Sequence, residues 1–179
     1  MILTKAGFRV ADLDQNAPTS FDLKPDAATC TALAETLEIR ALRKLRFSGQ
    51  ISAQGKRDWH LRAKLGATVV QTCVVTLEPV TTRIDTEITR TYVAGLTTPE
   101  EAEAEMPEDD TIEALSDVID PAAVMAEALA IALPDYPRKD GVELGEAVFT
   151  EPDVAPLSDA EVKPFAGLAA LRDKMRDSE

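Results

Sequence analysis

The side chains that could carry out chemistry are few and lie far apart. The chain has two cysteines, Cys30 and Cys73, and one histidine, His60. A structural zinc site needs four Cys or His ligands at short spacings, which two isolated cysteines cannot supply. The eight glycines form no phosphate-binding loop, and no Ser or Cys lies in a nucleophile elbow. We therefore predict no catalytic residue, metal, cofactor or small-molecule substrate, and we expect that the protein is not an enzyme.

The elements that must position these side chains follow from hydrophobic periodicity. From Ile39 to Tyr92 apolar and polar residues alternate, which is typical of strands with one buried face, although Leu42 and Arg43 interrupt the pattern. Residues 54–57 predict a hairpin turn. The predicted fold class is α+β with an antiparallel sheet. A strongly curved or barrel-like sheet is an alternative that the pattern allows. Short opening strands are expected near residues 8–10 and 21–23.

Helices and a loop complete the predicted fold. Capping residues and helical spacing predict helices near 27–37, 121–133 and 164–175. Residues 97–120 carry dense carboxylates and few large apolar side chains, which favours a mobile acidic loop. At 179 residues the chain is predicted to form one domain over 1–150 and a C-terminal tail over 151–179 with a short docking helix.

The location of the protein is predicted from what the sequence lacks. No stretch approaches the roughly 20 apolar residues of a membrane span, and the N-terminus has no signal-peptide core. Two unpaired cysteines suit a reducing compartment. We expect a cytoplasmic protein with no membrane contact.

Charge is segregated along the chain. The net charge is −13, yet residues 40–64 hold eight cations against the single carboxylate Asp58. On neighbouring strands these cations can converge on one exposed sheet face, where RNA phosphates could displace counterions. The alternative is that they only solvate an exposed strand face. The candidate RNA- or partner-binding residues are Arg40, Arg43, Lys44, Arg46, Lys56, Arg57, Arg62 and Lys64.

The acidic loop 97–120 admits two interpretations. Residues 100–120 hold ten Asp and Glu and no Lys or Arg. The loop could fold over the basic face and compete with RNA, or it could be a solvated insertion without a specific role.

The stretch VVQTCVVTLEPV, residues 69–80, fits a metal site, a catalytic thiol or a packed strand. Cys73 shares strand parity with Val69, Val75 and Leu77, so a strand covered on both faces would bury the thiol and make it inert.

Three segments of the chain resemble a known family. GATVVQTCVVTLEPV is similar to the central strand motif of the YceD family, in which many members read Cys-x-Arg-Cys-Leu followed by a proline. IDPAAVMAEALAIALPDYPR and KPFAGLAALRD resemble its helix with a Leu-Pro-x-x-Pro exit and its C-terminal signature, in the same order. The resemblance is to the alphaproteobacterial branch. The motif residues carried over as structural are Cys73, Leu77, Pro79, Pro134, Pro164, Phe165 and Leu168.

The resemblance implies a role in accumulation or processing of large-subunit (23S) rRNA, and so in ribosome assembly, without an established catalytic activity. The leading hypothesis is contact with rRNA, a pre-ribosomal particle or a ribosomal protein through the basic sheet face. A second hypothesis is an adaptor that binds a basic ribosomal protein or a processing nuclease and never touches RNA. A carboxylate-based hydrolase or nuclease is the third.

The cysteine motif also yields a prediction about metal content. Thr76 stands where the family motif has its second cysteine, so half of the Cys-x-x-Cys pair is missing. We expect protein purified without a metal-affinity tag to contain no stoichiometric zinc by elemental analysis. One zinc per chain would contradict this.

Overall fold

The structure is a computed structural model that describes residues 7–96, 111–143 and residue 175. The chain divides into two compact units, Met1–Val142 and Glu143–Glu179. Nearly all described residues belong to the first unit, which carries every element considered below.

Seven strands and two α-helices make up the described part of the first unit. In chain order they are β1 Phe8–Arg9, β2 Thr19–Leu23, α1 Ala27–Thr36, β3 Ala41–Gln54, β4 Asp58–Thr72, β5 Pro79–Val93, β6 Ile112–Ala114, β7 Val118–Ile119 and α2 Pro121–Ala132, with a 3-10 turn at Val10–Asp12. Five strands form one sheet in the order β2-β3-β4-β5-β6, and β1 pairs with β7 in a separate two-stranded sheet.

The long strands form because their side chains alternate between two environments. On β4, Trp59, Leu61 and Leu65 are buried while Arg62 and Lys64 between them are exposed. Successive side chains of a strand point to opposite faces, so this alternation buries one face of the sheet. Helix α1 packs against β3, and α2 packs against β4 and β5. The predicted α+β class, the hairpin at 54–57 and the opening strands are confirmed.

Both helices begin at the acidic caps that the sequence predicts. The Asp26 carboxylate accepts the N–H of Thr29 at 2.8 Å, and the Asp120 carboxylate accepts the N–H of Ala122 at 2.9 Å. Such caps satisfy N–H groups that have no partner within the helix. The predicted helix near 164–175 lies outside the described residues except for Met175, which is helical.

The barrel-like option for the sheet is wrong. Closure would require the edge strands β2 and β6 to pair, but in the described part of the chain three strands separate them and β6 has only three residues. The helices cover the apolar face instead, so the sheet has no need to roll around its own core. The sheet is also not wholly antiparallel, because β6 runs parallel to β5.

The predicted acidic loop 97–120 is corrected at its C-terminal end. Residues 111–120 contain β6 and β7, and Ile119 is buried against the core. Backbone hydrogen bonds join β6 to β5, and the Glu113 carboxylate pairs with Arg90, whereas Ile112 stays exposed, so hydrophobic alternation does not reveal this strand. Residues 97–110, which hold most of the carboxylates, lie outside the described residues.

One ion-paired group ties α2 and β6 to β5. Arg90 lies opposite Leu61, on the face that the helices cover, and only 13% of its side chain is exposed. Its guanidinium lies 2.7 Å from Glu127 of α2 and 2.9 Å from Glu113 of β6. A largely buried charge is costly unless it is paired, so Arg90 holds both elements against the sheet edge.

Two glycines of the sheet differ in how much space surrounds them. A methyl group at Gly49 would collide with the backbone of Arg62 and Ala63 on the neighbouring strand, whereas one at Gly66 would meet mainly the flexible end of Arg83. We expect Gly49→Ala to lower the free energy of unfolding by more than about 2 kcal/mol. Gly66→Ala, the matched control, should cost less than about 1 kcal/mol because Arg83 can move aside. Urea denaturation of both variants measures this, and equal costs would contradict it.

Candidate nucleic-acid interface

Three of the eight candidate cations converge at the start of β3. Arg40, Arg43 and Lys44 all line one surface cavity of about 550 Å³ beside α1, and we call them the β3 cation cluster. All three are exposed. Within the described part of the chain, none of them forms an ion pair with a carboxylate. Glu35 lines the same cavity without pairing with any of them, so among the described residues the cluster carries a local excess of positive charge.

An irregularity in β3 creates the cluster. The pairing of β3 with β4 shifts register between Arg43 and Arg46, and Lys44 has φ +51°. A bulge of this kind adds unpaired residues to one strand and redirects their side chains. Arg43 and Lys44 are consecutive and both exposed, which regular alternation would not allow. The bulge falls where Leu42 and Arg43 interrupt the sequence pattern.

Two other candidates are neutralised on the exposed sheet face, the face opposite α1 and α2. Arg46 donates to the Asp22 carboxylate at 2.8 and 3.2 Å. Lys64 lies 3.1 Å from Glu87, which sits directly opposite it on β5. These pairs are solvent-exposed and contribute little to stability, but they reduce the charge offered to a polyanion.

Arg62 lies in the middle of this face and pairs with no carboxylate of the described ranges. Its Nε donates to Nε2 of His60 at 2.8 Å, and Nδ1 of His60 lies 3.2 Å from the Thr91 hydroxyl. A guanidinium can only donate, so Nε2 must accept and Nδ1 carries the proton. Burial, reinforced by Arg62, lowers the pKa of His60, which keeps the ring neutral at neutral pH. His60 thus orients Arg62, a role that the sequence analysis missed.

The remaining two candidates are not brought to the cluster. Lys56 and Arg57 lie in the hairpin between β3 and β4, at the other end of these strands. Eleven residues separate Arg43 from Gln54 along β3, which corresponds to about 36 Å at 3.3 Å per residue. Arg57 lines a different cavity of about 570 Å³, together with Arg9 and Asp117. The eight cations therefore do not form one patch.

The exposed face also carries charges that were not counted from the sequence. Arg83 and Asp85 of β5 point to this face and are hydrogen-bonded at 2.8 Å. They alternate with apolar residues in the sequence, so their parity was visible there. Their pairing was not, because it depends on rotamers and on the register of β4 with β5. The face is of mixed charge, and its uncompensated part is smaller than the sequence indicates.

Cys73 lies in a turn and not on a strand. β4 ends at Thr72, and the Cys73 thiol, which has no exposed surface, accepts the N–H of Thr76 at 3.4 Å. The Thr76 hydroxyl and the N–H groups of Thr76 and Lys139 lower the pKa of Cys73 to about 6, although burial acts in the opposite direction. The strand-packing interpretation is corrected on this point, since the thiol is buried but its thiolate form is favoured.

The turn that contains Cys73 is docked on the segment after α2. Val74 donates its N–H to the carbonyl of Pro137 at 2.9 Å, and Lys139 pairs with Glu78 at 2.6 Å. Among the other motif residues, Leu77 is 71% exposed with φ +59°, Pro79 begins β5, and the carbonyl of Pro134 accepts the Gln71 amide. Pro164, Phe165 and Leu168 lie outside the described residues.

The described residues contain neither a cluster of metal ligands nor a membrane-spanning helix. In residues 7–96, 111–143 and 175, no three Cys, His, Asp or Glu side chains come together as metal ligands. Within those same ranges, no helix combines the length and apolar character needed to cross a bilayer.

The fold and the site define a small α+β protein with an exposed basic surface and a buried cysteine turn. A family model described as "Large ribosomal RNA subunit accumulation protein YceD" matches residues 61–172. The chain belongs to the YceD family. The matched range includes Arg62 and Cys73 but begins after the β3 cation cluster. Neither the curated proteins nor the solved structures include a significant match to the chain.

The cysteine turn gives a pH-dependent prediction. The pKa of Cys73 is lower in the folded protein, about 6, than its ordinary value of 9.0. The thiolate therefore stabilises the fold fully above pH 9, and this contribution is lost as the pH falls through 6. We expect the free energy of unfolding of the wild type, relative to Cys73→Ser, to increase between pH 6 and 9 in urea denaturation.

Cys30→Ser is the matched control. Burial and the nearby Asp26 raise the pKa of Cys30, the opposite direction to Cys73, so ionisation of this thiol adds no stability as the pH rises. The wild type relative to Cys30→Ser should show no such increase. If the difference in free energy of unfolding between the wild type and Cys73→Ser were also independent of pH, the hydrogen bonds assigned to the Cys73 thiolate would be contradicted.

Proposed function

We propose that the protein is a non-enzymatic, cytoplasmic factor that supports accumulation of large-subunit (23S) rRNA and contacts RNA phosphates through the β3 cation cluster and Arg62. The family supports the association with the large ribosomal RNA. The observation that carries the contact is that Arg40, Arg43 and Lys44 share one cavity and have no carboxylate partner in the described part of the chain.

The charge of the whole chain makes the local arrangement decisive. At −13 the protein repels a polyanion at long range. Screening reduces that repulsion beyond about 8–10 Å at physiological ionic strength, whereas direct phosphate contacts act within this distance. Each contact releases condensed counterions, which favours binding entropically. A few unpaired cations can therefore bind RNA on an acidic protein, while ion-paired ones such as Arg46 contribute less.

Arg43 and Arg62 lie on the same face of the sheet. Arg43 lies opposite Thr68 on the exposed face, and Arg62 lies six residues from Thr68 along β4, about 20 Å away at 3.3 Å per residue. Base stacking is not supported, because Trp59 and Phe47 are buried on the other face. Recognition through phosphates and helix shape, rather than base sequence, fits this surface.

The partner in the cell would be a large-subunit precursor particle. Within it the contact is proposed to be with RNA. The alternative is that the protein binds a ribosomal protein or acts as an adaptor without touching RNA. The following experiment distinguishes this alternative from direct RNA contact.

The test compares neutralised variants that have the same net charge. Arg43→Gln/Arg62→Gln removes two unpaired cations of the proposed surface, and Lys56→Gln/Arg57→Gln removes two from the distant hairpin. We expect the first variant to weaken binding to a 23S rRNA fragment and to reduce the slope of log K against log salt by about 1.4–1.8, the value for two lost phosphate contacts. The hairpin variant should bind as the wild type does. Filter binding over a salt series measures both.

Two results would overturn the proposal. Equal effects of the two variants would mean that only overall charge matters. Unchanged RNA binding by Arg43→Gln/Arg62→Gln, together with retained binding to precursor particles, would favour the adaptor.

A further inference from the structure

Among the described residues, the outer edge of β5 is left open over most of its length. β5 pairs with β4 from Pro79 to Tyr92, but on its other side β6 covers only Thr91–Val93. In the described part of the chain no strand pairs with this side from Val80 to Thr89, ten residues or about 33 Å. Such an edge presents a row of unpaired backbone N–H and C=O groups.

The open stretch of this edge has neither a bulge nor an inward-pointing charge, two features by which proteins block further pairing. The register with β4 is constant along β5, so there is no bulge, and the single proline, Pro79, lies at the first residue. The charged residues Arg83, Asp85 and Glu87 point to the exposed face, and Arg90, which points to the apolar face, lies just beyond the open stretch. A long, regular edge of this kind is a template for another strand.

The residues along the edge are complementary to themselves in antiparallel order. If two copies pair with Ile84 on a two-fold axis, Arg83 of each copy lies opposite Asp85 of the other. On the apolar face Val80 lies opposite Ile88, and Thr82 lies opposite Thr86. Opposite charges and β-branched pairs at directly facing positions stabilise antiparallel strands. A two-fold axis makes each favourable pair occur twice.

Helix α2 gives a second, independent indication. Its sequence PAAVMAEALAIA has one polar side chain, Glu127, yet one side of the helix is exposed and Ile131 is 72% exposed. A helix that is apolar on all sides is normally covered on all sides. Glu127 reaches Arg90 of β5 at 2.7 Å, so the helix face that carries Glu127 lies towards β5. Ile131, one turn further, lies on that same face.

We propose that the open edge of β5 binds a second copy of this chain, which forms a two-fold dimer through an antiparallel β5–β5 ladder centred on Ile84. The ladder satisfies the open backbone groups of both copies, and the two α2 helices approach each other above it and cover Ile131. The sheets join into one, so the exposed faces become continuous and Arg62 of each copy lies on the same surface. The dimer does not depend on the proposed RNA contact.

Charge reversal on the full-length chain tests both the dimer and its register. Arg83→Glu places Glu opposite Asp85 twice, and Asp85→Arg places Arg opposite Arg83 twice. We expect the wild type to sediment at twice the 19.3 kDa chain mass. Each single variant should sediment at the chain mass, with a dimer Kd raised at least about 100-fold by the like charges. An equimolar mixture should return to the doubled mass, because each variant then faces its complement.

Two further variants act as controls. Glu87→Gln faces Thr81 in this register and should leave the dimer unchanged. The charge-swapped variant Arg83→Asp/Asp85→Arg keeps opposite charges face to face and should dimerise like the wild type, which also shows that substituted chains fold.

Each alternative result overturns the proposal. If the wild type sediments at the single-chain mass at about 100 µM, the dimer is excluded. This concentration is well above the roughly micromolar Kd of a weak specific dimer. Single variants that remain dimeric exclude the β5 edge as the interface. A mixture that stays monomeric, or a Glu87→Gln variant that dissociates, excludes the register centred on Ile84.

Discussion

The structure depends on burial of one face of the long β3–β4–β5 ladder. Leu61, Leu65 and Val69 on β4 have almost no exposed surface, and burial of each large apolar side chain contributes about 1.5–3 kcal/mol. A slip of one residue would move all of them to the exposed face, so the register is strongly determined. The same constraint directs Arg62 and Lys64 outward. The surface chemistry of the sheet is therefore a consequence of its core.

The candidate interface lies where this regularity fails. Along the regular part of the sheet, cations face carboxylates on adjacent strands, as Lys64 faces Glu87 and Arg46 contacts Asp22. At the bulge of β3 consecutive residues are exposed, and no carboxylate in the described ranges pairs with Arg43 or Lys44. A cation on a strand is neutralised only when a carboxylate lies opposite it on the neighbouring strand. In the described ranges no carboxylate does so at the bulge, and an acidic protein can therefore carry a local basic site there.

The ends and edges of the sheet carry the other unusual features. The turn after β4 buries Cys73 beneath backbone N–H donors and docks on the segment that follows α2. The outer side of β5 leaves ten residues without a strand beside them in the described part of the chain. In the proposed dimer the added strand would pair the backbone groups of these residues, and the α2 helix of the second copy would cover Ile131. The central ladder provides stability, and its boundaries carry the surfaces that we propose for RNA and for a second copy of the chain.

The sequence by itself determined the α+β class, the paired strands, the two described helices with their caps, and the family, because periodicity, capping and motif order are local patterns. It also located the irregularity in β3, at Leu42 and Arg43. Only the tertiary structure decided that the sheet stays open, that β6 runs parallel, and that Cys73 lies in a turn. It likewise decided that the eight cations divide into a cluster of three, two neutralised residues, Arg62 beside His60, and two residues of a distant hairpin. These outcomes depend on which residues from different strands face each other, and strand register across a sheet is a non-local property that no short stretch of sequence contains.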